Sequence, residues 1–139
     1  MRKIAKWFGI IFVLIGILGF VPGITSSGHL LGIFEVDTLH NVIHLLSGII
    51  AFMCSGSTMS AKSFFKIFGV IYAIVTVVGF LRGDVLGLFG VNMADNLLHL
   101  LISVVALVLG FGGSGAGAPT PMASSMPSNQ NSNSNQSMM

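Results

Sequence analysis

Two short stretches carry most of the polar chemistry of this chain. Residues 36–48 read VDTLHNVIHLLSG and residues 91–103 read VNMADNLLHLLIS. The first sets His40 and His44 four apart with Asn41 beside them, and the second sets Asp95 and His99 four apart with Asn96 beside them. Side chains four apart share a helix face. At 100° per residue, Asp37, His40, Asn41, His44 and Gly48 fall within an arc of roughly 100°, as do Asn92, Asp95, Asn96, His99 and Ser103. Each stripe begins with a residue suited to an N-cap, Asp37 or Asn92, followed three positions later by His40 or Asp95 in the manner of a capping box.

Capping leaves Asn41, His44, Asn96 and His99 unexplained, because they lie one to two turns further in. If the stripes face one another, His40 lies opposite Asp95 as a charge-assisted pair and His44 lies opposite His99. The first reading is a helix-packing or small-ligand cluster, in which Asn and His hydrogen bonds of about 0.6–2 kcal/mol each hold two helices in register. A second is a metal site, since His40, His44, Asp95 and His99 offer three imidazoles and a carboxylate at ligand spacing. In a variant of it, His44 and His99 are axial ligands of a haem, for which short helices leave a shallow pocket. A third is a protonatable site for a small solute or a quinone head group. None sets a nucleophile beside a base, so the reading leans away from an enzyme.

The elements that must position these residues are apolar. The 139 residues are 53% hydrophobic and 7% charged, which suits an integral membrane protein better than a soluble domain. Apolar runs at residues 4–21, 39–54, 64–81 and 95–111 are each near the lower limit for crossing a hydrocarbon core of roughly 30 Å at 1.5 Å per residue. Backbone polar groups find no water in lipid, so these runs should be helices. The expected fold is an all-α integral membrane protein, a four-transmembrane-helix bundle. Its implied partner is the lipid bilayer, and a homo-oligomer is compatible with it. No basic patch with interleaved aromatics suggests nucleic acid. The single Cys54 excludes an internal disulfide or a CxxC pair.

The bundle reads as two parallel two-helix repeats. KWFGIIFVLIGILGFVPG, from Lys6, matches KIFGVIYAIVTVVGFLRG, from Lys66, and LLGIFEVDTLHNVIHLLSG, from Leu30, matches VLGLFGVNMADNLLHLLIS, from Val85. Repeat one covers residues 4–56 and repeat two 63–111, within a membrane domain of 1–111. The repeat argues against a cleaved leader, although MRK before an apolar run opens like one. An even number of spans per repeat gives both copies one orientation. Arg2, Lys3, Lys6, Lys62 and Lys66 then mark the N-terminus and the second loop as cytoplasmic, in a bacterial plasma membrane.

The twin segments LLGIFEV and VLGLFGV, on the opposite side, should lie at the interface or fold over the helix ends as a cap. GFVPG and GFLRG read as helix stops rather than close helix contacts. Residues 112–139 have neither charge nor apolar period, which suggests a disordered cytoplasmic tail. Composition is the simpler account of its Met122, Met126, Met138 and Met139 than soft-metal binding.

GFVPGIT, LLGIFEVDTLHNVIHLLSG and VNMADNLLHLL together resemble the bacterial membrane family catalogued as domain of unknown function 4383. The likeness covers roughly residues 4–111. It implies a four-span membrane protein and carries over no catalytic residue. Asp95, where the first copy has His40, fits that family's pattern.

Overall fold

The structure, a computed structural model, describes residues 1–112. It is mostly helical, with α1 (Arg2–Leu18), α2 (Thr38–Cys54), α3 (Thr58–Arg82) and α4 (Met93–Phe111). Between α1 and α2 the chain forms β1 (Thr25–Ser26), β2 (His29–Leu30) and β3 (Phe34–Glu35), a small antiparallel sheet in that order. Two helices, α3 and α4, are long and apolar enough to cross a membrane. The expected tail lies outside the described residues except for Gly112.

Helix boundaries follow caps rather than hydropathy. α3 begins at Thr58, six residues before the apolar run, because Ser57 Oγ accepts the Ser60 N–H at 3.0 Å and starts the helix in polar sequence. It ends where Gly83 turns left-handed at φ 73°. α1 stops at Leu18, three residues before its apolar run ends. The miniature sheet was not foreseen, since two-residue strands leave no period to read.

Within each helical hairpin the backbones nearly touch. A Cβ on Gly48 of α2 would lie 2.7 Å from Gly9 O and 2.7 Å from Val13 N of α1. In the other hairpin, a Cβ on Gly110 of α4 would lie 2.6 Å from Lys66 N of α3. Small residues at such crossings let the helix backbones approach closely and gain dispersion contacts. Between hairpins the contact is made instead by rings. Phe8 and Phe12 of α1 interleave with Phe64, Phe65, Phe68 and Tyr72 of α3, and Phe68 stacks on Tyr72 at 4.1 Å. This aromatic core occupies the half of the bundle near the N-terminus and the α2–α3 turn.

The other end is closed by the loops. The segments Gly28–Val36 and Gly83–Val91 share one geometry: Val36 N–H donates to Gly28 O at 2.8 Å, and Val91 N–H to Gly83 O at 3.1 Å. At their tips Leu31 and Gly32 have φ of 56° and 69°, and Leu86 and Gly87 have 57° and 74°. Leucine is costly in that conformation, by roughly 1–2 kcal/mol. Leu30, Val36, Val85, Phe89 and Val91 are buried and fold over the helix ends, while Leu31, Ile33, Leu86 and Leu88 point outward. The twin segments thus form the expected cap with an apolar outer surface.

Candidate functional site: a buried histidine cluster

Under this cap lie the polar residues of both stripes. His40, Asn41, His44, Asp95, Asn96, His99 and Ser103 are all buried, on faces of α2 and α4 turned inward. Asp37 is the N-cap of α2 and Asn92 the N-cap of α4. Asp37 accepts the His40 N–H at 2.9 Å, and Asn92 accepts the Asp95 N–H at 3.1 Å. In α4 the box is complete, because Asp95 Oδ2 accepts the Asn92 N–H at 2.9 Å.

The histidines converge. His40 and His44 lie one turn apart with ring centroids at 4.7 Å, and His99 reaches across from α4 to 5.7 Å from His40 and 6.4 Å from His44. One potential ligand atom from each lies within 4.8 Å of the others. The walls are aromatic: Phe89 stacks on His40 at 5.0 Å, Phe12 tilts against His44 at 5.4 Å, and Tyr72 meets His99 edge-on at 5.2 Å. Among the described residues, both ring nitrogens of His40 and the Nδ1 atoms of His44 and His99 are buried without a hydrogen-bond partner.

Two expectations are corrected here. Asp95 makes no hydrogen bond to His40. Its Oδ2 is already engaged by the Asn92 N–H and by the Glu35 N–H at 3.0 Å, so it serves the helix start and the facing loop. Accordingly Asp95 stands outside the group of converging ligand atoms, which is His40, His44 and His99. The asparagines do not face one another either. Asn41 presses its amide onto Gly19, which caps the end of α1, and Asn96 presses its amide onto Gly79 in α3. Gly19 is thus both the stop of α1, as read from the sequence, and a close contact, whereas Gly79 is a close contact inside α3. The second glycines of GFVPG and GFLRG, Gly23 and Gly83, make the turns, at φ 92° and 73°.

A metal ion and a haem differ in fit. An equilateral triangle with 4.8 Å edges has its centre about 2.8 Å from each corner, about 0.7 Å beyond a zinc–imidazole bond. A bound ion would need the three rings to turn inward by that amount. A haem between His44 and His99 does not fit, because the centroid separations put the His40 ring within about 4 Å of their midpoint, where the macrocycle would lie.

Sequence reasoning missed Phe12, Tyr72 and Phe89 as walls of the site, and Glu35 as the partner of Asp95. The matching phenylalanines of the twin loops, Phe34 and Phe89, were the available signal for the cap.

Fold and site together define a class: a small apolar four-helix protein that buries a histidine, asparagine and aspartate cluster beneath a two-loop cap. The chain belongs to the family described as domain of unknown function (DUF4383), whose sequence model matches residues 2–112. No curated protein and no solved structure matches it.

Proposed function

We propose that this is a multi-pass membrane protein that binds one transition-metal ion through His40, His44 and His99. The observation that carries this reading is the set of unpartnered imidazole nitrogens converging in a buried space. A buried polar atom left unpaired costs about 1–3 kcal/mol, a large fraction of the stability of any small domain. The purely structural alternative requires hydrogen bonds among these side chains. Among the described residues no side-chain hydrogen bond joins one helix's His or Asn to the other's. Imidazole suits zinc, copper, iron and nickel, and three protein ligands leave a coordination position open.

The membrane reading is supported by an inverted surface. Large apolar side chains are exposed on all four helices, among them Ile11 and Leu14, Leu46 and Ile50, Ile67 and Ile74, and Leu101 and Val108, whereas the buried residues include eight polar or charged ones. Contiguous apolar surface on this scale marks contact with lipid or protein. In our reading all four helices span, as two parallel repeats, with both termini in the cytoplasm of a bacterial plasma membrane. The cationic ends agree, since Arg2 Nε donates to Ser55 O at 3.3 Å and so sets the N-terminus beside the α2–α3 turn. The exposed leucines at the strained loop tips would rest in the opposite interface.

The test is metal titration of the full chain purified in detergent, with cobalt(II) as the spectroscopic probe. We expect one equivalent per chain with visible bands of a low-coordinate site, and at least a hundredfold weaker binding for His44→Ala or His99→Ala. Absence of a stoichiometric site, or titration unchanged in both variants, would overturn the reading. For topology, a cytoplasmic reporter fused after Met139 should be active and a periplasmic one silent.

A further inference from the structure

Beside the histidines a cleft of about 420 Å³ runs between α2 and α3. Cys54, Ser60 and Ser63 border it toward the α2–α3 turn, Ile43, Ile71 and Val75 line its length, and Val85 and Phe89 close it under the loop cap. Its size falls within the range of sites for small organic ligands. Ile67 and Ile71 on its wall are exposed, so the cleft opens sideways, onto the surface that faces lipid in the preceding reading. At its capped end stand His40 and His99, 2% and 3% exposed, both with ring nitrogens that have no partner.

These features restrict the occupant. A hydrocarbon chain fits the walls but leaves the imidazoles unpaired. A fatty acid or phospholipid would bring an anionic head into a buried end, and no Lys or Arg lines the cleft to offset its desolvation. A neutral head with carbonyl oxygens accepts an imidazole N–H without that cost. The flat faces at this end, Phe89 stacked on His40 and Tyr72 edge-on to His99, suit a planar ring. We propose that the cleft takes a lipid-soluble quinone from the bilayer, with its ring carbonyl at His40 and His99 and its chain along Ile43, Ile71 and Val75. This rests on the membrane part of the reading above and not on the metal ion.

The experiment is equilibrium dialysis of decylubiquinone against the full chain in detergent, with and without chelator, with palmitate as competitor. Saturable binding near one per chain is expected, at least tenfold weaker in Ile71→Trp, which fills the cleft. It should be unchanged in Ile17→Trp, which adds the same ring to an exposed position of α1 outside the cleft. Should Ile71→Trp lose its unfolding transition, Val75→Phe applies the same block with a smaller ring. Retained metal titration in the blocked variant would show the histidines undisturbed. No saturable binding, equal competition by palmitate, or binding indifferent to the blocking substitutions would overturn the proposal. Carbonate extraction of membranes reads insertion separately. A chain that stays with the bilayer yet binds no quinone fails this inference alone, and one that does not stay fails the reading beneath it.

Discussion

Three residues past its cap, α2 carries His40 and α4 carries Asp95, on starts of the same geometry. The carboxylate of Asp95 folds back onto Asn92 N–H and reaches Glu35 N–H, and is consumed by holding the helix start and the loop in place. An imidazole at that position makes neither bond, so the His40 ring stays free to join His44 and His99. A second contrast lies two turns deeper, where α2 has Gly48 against the backbone of α1 and α4 has Ser103, whose hydroxyl bonds back to Leu100 O at 2.8 Å. At this level one half of the molecule brings backbone against backbone and leaves its polar residue unspent, while the other carries a hydroxyl there and uses its polar residue as a fastener.

Exchanging the deeper pair should break the comparison most sharply. Gly48→Ser drives a Cβ into Gly9 O and Val13 N, which belong to backbone and cannot rotate away. It should cost about 3 kcal/mol or more in unfolding free energy measured in mixed micelles, whereas Ser103→Gly should cost about 1 kcal/mol. Equal losses would show that the Gly48 and Ser103 positions are equally crowded.

At the upper pair, Asp95→Ala removes the acceptor for two backbone N–H groups and should cost about 2 kcal/mol, with Asp95→Asn restoring at least half through its amide oxygen. His40→Ala should cost no more than about 1 kcal/mol, because the lost packing on Phe89 is offset by removing two unpaired nitrogens. Yet it should abolish stoichiometric cobalt binding. If His40→Ala proved the more destabilising of the two, the division of labour between the positions would be wrong.

The smallest effect concerns the loop tips. Leu31→Asn and Leu86→Asn each relieve a left-handed leucine at an exposed tip and should raise stability in micelles by up to about 1 kcal/mol. In bilayers they should lose the benefit of an interfacial apolar side chain. Identical behaviour in the two media would remove the loops from the interface.

Much of this was legible because helices in an apolar chain announce themselves by composition, and because His40, His44 and His99 stand out at a four-residue spacing. The caps Asp37 and Asn92 could be read from residue type and offset alone. What stayed hidden depended on side-chain direction. Asn41 and His40 are neighbours on one stripe, yet one turns to Gly19 and the other to the cluster, a split that the breadth of the stripe conceals. Asp95 looked like a partner for His40 because charge suggests pairing, while its bond to Glu35 N–H joins positions sixty residues apart through a backbone group that no pattern marks. Gly79 read as a stop because glycine near a helix end usually is one, and Gly19, which is one, is also a contact.

That long-range bond has a consequence for biogenesis. Glu35 N–H to Asp95, and Asn92 Nδ2 to Ile33 O at 2.7 Å, tie the first loop to the start of the last helix. A nascent chain emerging N-terminus first would hold His40 and His44 for some fifty residues of synthesis before His99 arrives. The same late event fastens the lid. The three imidazoles therefore converge only in a chain whose fourth helix has docked.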